Sequence, residues 1–293
     1  MRLGSTAAGA VIIARDDTVV PVADLVAGAP RDVRGVIEAG ETLWSRLHQA
    51  AATARGGTAP AQARLLAPIP DPRRDVFAVG WNYSDHFLEG QAIRGTSGPE
   101  EIPEHPALFS KGPNTVVGPD ADVRFPSPHS TQLDWEVELA VVIGRAGRDI
   151  AASDALSHVF GYTVGNDVSV RDYQQKRHGG QWFKGKNFDT HLPMGPWIVT
   201  VDEIPNPHTL RLCTRVNGMS KQDSSTKHMV FSVPRIIEEL SAGMKLVPGD
   251  MIITGTPPGV GFARKPPEWM KVGDTVEVEI EKIGTLRNRI VAP

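Results

Sequence analysis

The segment Leu133-Asp134-Trp135-Glu136-Val137-Glu138-Leu139-Ala140-Val141-Val142-Ile143 constrains this chain more than any other, because its character changes along its length. In an extended strand successive side chains alternate between faces, so Asp134, Glu136 and Glu138 share one side, which Ala140 and Val142 continue. The strand therefore runs from an acidic face into a core that is apolar on both sides, where unpaired carboxylates are costly. With a rise of about 3.3 Å per residue, Glu136 and Glu138 leave the backbone roughly 7 Å apart, close enough for their oxygens to converge on one ion. By itself, Glu-x-Glu more often marks a solvated strand face.

The length of 293 residues suits roughly two domains of about 150 residues each. Hydrophobic residues at 40%, together with 29 glycines, exclude a disordered or fibrous chain. A formal net charge of -3 gives no global attraction to nucleic acid or to an anionic membrane. The single cysteine, Cys213, allows no internal disulfide and no cysteine cluster, which fits a reducing, cytoplasmic compartment. The longest apolar runs, such as 139–143, are far shorter than the ~18 residues of a membrane span.

Val11 to Ile13, a turn from Arg15 to Thr18 and Val19 to Val22 predict a hairpin. From Asp32 to about Thr53, Ile37, Leu43, Trp44, Leu47 and Ala51 recur at helical spacing, which predicts one amphipathic helix. Pro68, Pro70 and Pro72 then stiffen a connector, so we place a boundary near residue 72, with a small domain over 1–72 and a larger, mainly β domain over 73–293. Within the latter, one short helix is predicted from Ser153 or Asp154 and another from Ser232, which caps a turn containing Pro234 and precedes a stop at Gly243. Val276, Val278 and Ile280 alternate with Glu277, Glu279 and Glu281 before Gly284, as in a half-exposed hairpin.

A third carboxylate, Asp167, follows the apolar stretch Gly161 to Asn166 and could either cap the next element or bind a metal. Three carboxylates without a Cys or paired-His pattern suit a hard ion, Mg²⁺ or Mn²⁺, better than zinc. In Asn82-Tyr83-Ser84-Asp85-His86-Phe87-Leu88-Glu89, His86 and Glu89 stand three apart and can hydrogen-bond on one side of a helical turn. A carboxylate holding one imidazole nitrogen leaves the other free as a general base, although an exposed charged turn has the same residues. The polar stretch to His105, with Gly90, Gly95, Gly98 and Pro99, suits a flap over a site or an inert surface loop. Positive charge gathers at Arg171, Lys176-Arg177-His178 and Lys184-Gly185-Lys186, and Thr254-Gly255-Thr256-Pro257 follows a strand where it can present hydroxyls and backbone.

In this order, Gly80-Trp81-Asn82-Tyr83-Ser84-Asp85-His86, Glu136-Val137-Glu138-Leu139, Gly161-Tyr162 through Asn166-Asp167, Arg171-Asp172, Lys186-Asn187-Phe188-Asp189 and Thr254-Gly255-Thr256-Pro257 resemble the fumarylacetoacetate hydrolase family, in its compact acylpyruvase-like type. The resemblance covers about residues 74 to 291. It implies an α+β, mainly β fold, a mixed β-roll with a small N-terminal α+β domain, and a homodimer. It further implies Glu136, Glu138 and Asp167 as ligands of Mg²⁺ or Mn²⁺, His86 and Glu89 as a water-activating dyad, and Lys186 as the group polarising substrate. Arg171, Gln174 and Thr256 would contact a small 2-oxo acid. Asp134 matches no ligand position, and Val79 stands near the place of a further Asp in the longer enzymes, which argues against fumarylacetoacetate as the substrate.

The activity implied is hydrolytic C–C cleavage of an acylpyruvate-like 1,3-diketo acid through an enolate, in a setting such as aromatic-ring catabolism. Rival readings use the same enolate for oxaloacetate decarboxylation or for isomerisation or hydration of an unsaturated 2-oxo acid. A more distant rival is a non-catalytic β module holding a structural Ca²⁺, which gives His86, Glu89 and Lys186 no task.

Overall fold

The computed structural model describes residues 1–14, 16–94 and 100–293, and places the Val137–Ile143 strand well inside a ten-stranded sheet. Its antiparallel neighbours are Val159–Asn166 and Met251–Ile253. Beyond Met251–Ile253 come Val76–Gly80, parallel to it, and then Ala107–Lys111. On the other side the order continues through Leu192–Thr200, Arg2–Thr6, Gly9–Ile13 and Val19–Pro21. A five-stranded sheet, which includes the hairpin Thr275–Ile280 and Gly284–Val291, forms a separate layer.

All seven residues of Val137–Ile143 are buried, and alternation sorts them between two cores. Leu139 and Val141 pack with Ile236 and Ile237 of the helix Val233–Ser241 and with Val278 and Leu286 of the five-stranded sheet. Ala140 and Val142 instead join Val36, Leu43 and Leu47 from the N-terminal helices. The central strand is thus covered on both faces, and the architecture is α+β with strands dominant.

Residues 1–72 extend the large sheet rather than standing beside it, because Arg2–Thr6 pairs with Leu192–Thr200, and Leu3 and Ile12 share a core with Ile198 and Ile253. The predicted hairpin is present as Gly9–Ile13 against Val19–Pro21, with Arg15 outside the described residues. The single helix expected from Asp32 to Thr53 is two, Val33–Glu38 and Glu41–Thr53. Asp32 caps the first by accepting from the Gly35 N–H at 2.8 Å, and Gly40, at φ 78°, breaks the chain direction between them. The element expected near Ser153 is only a 3₁₀ turn, Ala155–His158, without a side-chain cap. Ser232 does cap Val233–Ser241, and Val276, Val278 and Ile280 are buried on one face of the C-terminal hairpin.

The acidic strand departs from the sequence expectation at its start. Leu133–Asp134 pairs with Ser169–Val170, and regular pairing resumes only at Val137. Side chains replace the ladder in between: Asn166 Oδ1 accepts from the Glu136 N–H at 3.0 Å and Gln222 Oε1 from the Val137 N–H at 3.1 Å. This break takes Asp134 out of the regular strand that carries Glu138. Among the described residues, no helix is long and apolar enough to cross a membrane.

Candidate active site

Two neighbouring strands build the acidic cluster. Val137–Ile143 carries Glu138 and is preceded by Glu136, while Val159–Asn166 ends where Asp167 begins. The Asp167 N–H donates to the Glu136 carbonyl at 2.9 Å, which ties the two strand ends together. As a result Glu136, Glu138 and Asp167 each offer an oxygen, all within 4.8 Å of one another, in a buried group. Asp167 therefore does not cap the next element; its carboxylate turns into the cluster.

Cations already brace this group. Lys186 Nζ donates to Glu136 Oε2 and Asp167 Oδ2, both at 2.6 Å, and Lys111 Nζ donates to Asp167 Oδ1 at 2.7 Å. Arg171 donates to Asp134 Oδ2 at 2.7 Å, to Glu136 Oε1 at 2.6 Å and to Gln174 Oε1 at 2.9 Å. Burial opposes ionisation of Glu136, yet the Lys186 and Arg171 charges outweigh it and hold its carboxyl below the usual carboxylate range. Glu138 has the opposite balance: burial, then the Asp167 and Glu136 charges, push its carboxyl well above that range.

The described cluster thus sets four carboxylates, Asp134, Glu136, Glu138 and Asp167, against three cations, Arg171, Lys186 and Lys111, with Glu138 bearing the excess. A divalent cation would supply the missing positive charge. The donors are all carboxylate oxygens, so the residues fit a hard ion such as Mg²⁺ or Mn²⁺. One further contact fixes the Glu138 carboxylate, whose Oε2 accepts from the Gly255 N–H at 2.6 Å. Gly255 is required there, because its φ is 92° and a Cβ would press on Asn82.

The cluster opens into a cavity of about 340 Å³ lined in part by Glu136, Glu138, Arg171, Gln174, Lys186 and Thr256. His86 lies on its wall, on the helix Ser84–Arg94, with Nδ1 2.8 Å from Glu89 Oε1. Glu89 is itself held by the Gly259 N–H, at 2.9 Å to Oε2. The imidazole is buried against Phe262, and its Nε2 is left on the side away from Glu89. Of the stretch expected as a flap, Gly90 lies on the helix Ser84–Arg94, while 95–99, with Gly95, Gly98 and Pro99, lie outside the described residues.

The structure therefore brings the nine sequence-predicted residues together around one cluster, with two refinements. Arg171 is buried and committed to Asp134, Glu136 and Gln174, so its first effect is to orient Glu136. The Thr256 hydroxyl donates to the Val137 carbonyl at 3.0 Å and accepts from Gln222 Nε2 at 2.8 Å, so its proton is already engaged within the fold. Sequence reasoning missed Lys111, fully buried at the end of Ala107–Lys111, where an alternating pattern gives no sign that a lysine turns inward. It also missed the aromatic wall of Trp81, Phe109, Trp182 and Phe262.

A mixed β fold carrying a buried carboxylate triad able to hold a metal ion, a lysine bridge and a His–Glu pair defines a class of acidic enzyme sites for small ligands. The chain belongs to the fumarylacetoacetate hydrolase family: residues 75–291 match Fumarylacetoacetate (FAA) hydrolase C-terminal. The mitochondrial oxaloacetate tautomerase FAHD2A of Homo sapiens is 44% identical over 262 residues, 89% of this chain and 80% of that protein. Oxaloacetate tautomerase YisK of Bacillus subtilis is 46% identical over 229 residues, 78% of this chain and 73% of that protein. Among solved structures, the fumarylacetoacetate hydrolase of Exiguobacterium antarcticum superposes with a TM-score of 0.80 at 37% identity, covering 100% of this chain and 99% of its own. The 2-hydroxyhepta-2,4-diene-1,7-dioate isomerase of Mycobacterium marinum gives a TM-score of 0.69 at 35% identity, covering 100% and 98%.

Proposed function

We propose that this protein is a metal-dependent enzyme that moves a proton on a short 2-oxo acid, with keto–enol tautomerisation of oxaloacetate as its reaction. The observation carrying this reading is the triad Glu136, Glu138 and Asp167 with the His86–Glu89 pair nearby, Glu136, Glu138 and His86 lining one cavity, together with 44% identity to a named oxaloacetate tautomerase. An Mg²⁺ or Mn²⁺ ion held by the three carboxylates would act as a Lewis acid toward the keto-acid head. Glu89 holds the Nδ1 side of His86, which leaves Nε2 to take the proton from C3 of the keto form and to deliver it to the enolate oxygen, the reverse direction moving the same proton from that oxygen back to C3. Lys186 spends two of its three N–H groups on Glu136 and Asp167, and the third is assigned to the oxygen that gains negative charge as the enolate forms. The aromatic wall excludes water from that proton transfer.

The hydrolytic cleavage of an acylpyruvate implied by the sequence resemblance becomes the second reading. It is favoured by the same His86–Glu89 pair, which can serve water as well as carbon. The test is direct. Oxaloacetate dissolved as its enol is added to protein with Mg²⁺, and the decay of enol absorbance is followed while pyruvate is measured in parallel. Accelerated decay without pyruvate, abolished by chelator, is the expected result; no acceleration with either Mg²⁺ or Mn²⁺ overturns it, and pyruvate release from an acylpyruvate selects the hydrolase. A homodimer belongs to the same proposal, supported by the exposed Leu108 and Phe183 beside one groove and checked by light scattering.

A further inference from the structure

We propose that Lys176 determines specificity for the far end of the substrate, its ammonium recognising the distal carboxylate of a 2-oxo dicarboxylic acid. This rests on the proposed function, in that the keto-acid head is taken to lie at Glu136, Glu138 and Asp167.

Among the described residues, three cationic lysine or arginine side chains line the cavity: Arg171, Lys176 and Lys186. Two are consumed by the protein itself. Arg171 is held by Asp134, Glu136 and Gln174, and Lys186 bridges Glu136 and Asp167. Lys176 is exposed and makes no hydrogen bond or ion pair with any described residue, so all of its donors remain available. Its neighbour Arg177 is engaged differently, with its guanidinium 4.0 Å from the centre of the Tyr173 ring.

Placement agrees with charge. Arg171 and Lys176 are the first and last residues of one helix, which separates them by roughly 7.5 Å along its axis. Arg171 touches the metal-ligand candidate Glu136 at one end, so Lys176 marks the other end of the same wall, with Gln174 and Gln175 between. The lining carboxylates are Glu136 and Glu138, both deep in the cluster, so none competes for Lys176 at the rim. Much of the remaining wall is aromatic: Trp81, Phe109, Trp182 and Phe262. A second carboxylate lying against those rings would lose hydration without a partner, whereas at Lys176 it gains an ion pair.

Oxaloacetate and pyruvate form the matched pair of probes, since they share the keto-acid head and differ by the distal carboxylate. Their binding to Mg²⁺-loaded full-length protein is measured by titration calorimetry for wild type, Lys176→Met and Lys176→Arg. Lys176→Met should weaken oxaloacetate by about tenfold, the usual effect of losing one charge-assisted hydrogen bond, while leaving pyruvate unchanged. Lys176→Arg should keep most of the oxaloacetate preference, and added salt should erode that preference in wild type but not in Lys176→Met. Equal weakening of both ligands, or of neither, overturns the inference. Failure of the wild type to tautomerise oxaloacetate would overturn the proposed function alone, because the binding ratio is read without turnover. Binding of neither probe by wild type overturns both.

Discussion

Removing the charge of Glu138 while keeping its shape separates electrostatics from packing at the acidic cluster. The ligand atoms of Glu136, Glu138 and Asp167 lie within 4.8 Å of one another, and at an effective dielectric near 20 each like-charge pair at that separation costs about 3.5 kcal/mol. Glu138 feels two such neighbours and one attracting ammonium at Lys186, and it escapes the remaining repulsion in part by holding its proton. A divalent cation bound there would relieve that repulsion. A linked stabilisation of about 2.7 kcal/mol is reached when free Mg²⁺ exceeds its dissociation constant about 100-fold. At about 2 °C per kcal/mol for a chain of this length, Tm should rise by about 5 °C. Glu138→Gln retains an acceptor for the Gly255 N–H and loses the repulsion, so with EDTA it should melt no lower than wild type, and its Mg²⁺ shift should vanish. Glu136→Gln should lose the same shift but also melt lower in EDTA, because Arg171 and Lys186 each lose a charged partner and breaking a buried pair costs about 3–5 kcal/mol. Thermal melting of the three proteins in EDTA, Mg²⁺ and Mn²⁺ measures all of this. A full Mg²⁺ shift in Glu138→Gln, or a loss in EDTA equal to that of Glu136→Gln, would refute the charge argument.

Two further predictions address other parts of the molecule. His86→Ala should reduce oxaloacetate tautomerisation by roughly 10²–10⁴-fold and leave the Mg²⁺-induced melting shift intact; loss of that shift would mean that His86 acts on the metal rather than on the proton. Burial pushes His191 down to about 3, with Nε2 donating to the Arg124 carbonyl at 2.9 Å and Nδ1 without a partner. The unfolded chain takes up that proton below an ordinary value of about 6.5 and the folded chain does not, so this contribution to stability is complete above that pH and declines by about 1.4 kcal/mol per pH unit below it. Urea unfolding across pH 5 to 7 should therefore show a steeper pH dependence for wild type than for His191→Asn, and parallel curves would contradict it.

The sequence by itself determined the local chemistry. Alternation placed Glu136 and Glu138 on the face continued by Ala140 and Val142, and that strand is buried on both sides as the pattern required. The three-residue spacing of His86 and Glu89 became a hydrogen bond on one helix, because spacing along a helix fixes which side chains meet. Caps at Asp32 and Ser232 and the alternating C-terminal hairpin are similarly local properties.

Only the tertiary structure decided what depends on residues distant in sequence. The acceptors Asn166 and Gln222, 30 and 85 residues from the groups they satisfy, interrupted the acidic strand after Asp134. Lys111 is 56 residues from Asp167 and became its buried partner through the order of strands in the sheet. The first residues joined the large sheet because Arg2–Thr6 found an edge at Leu192–Thr200. The charge excess at Glu138 exists only once these separate pieces of chain exclude water from one small volume, since carboxylates left in solvent would hardly feel one another.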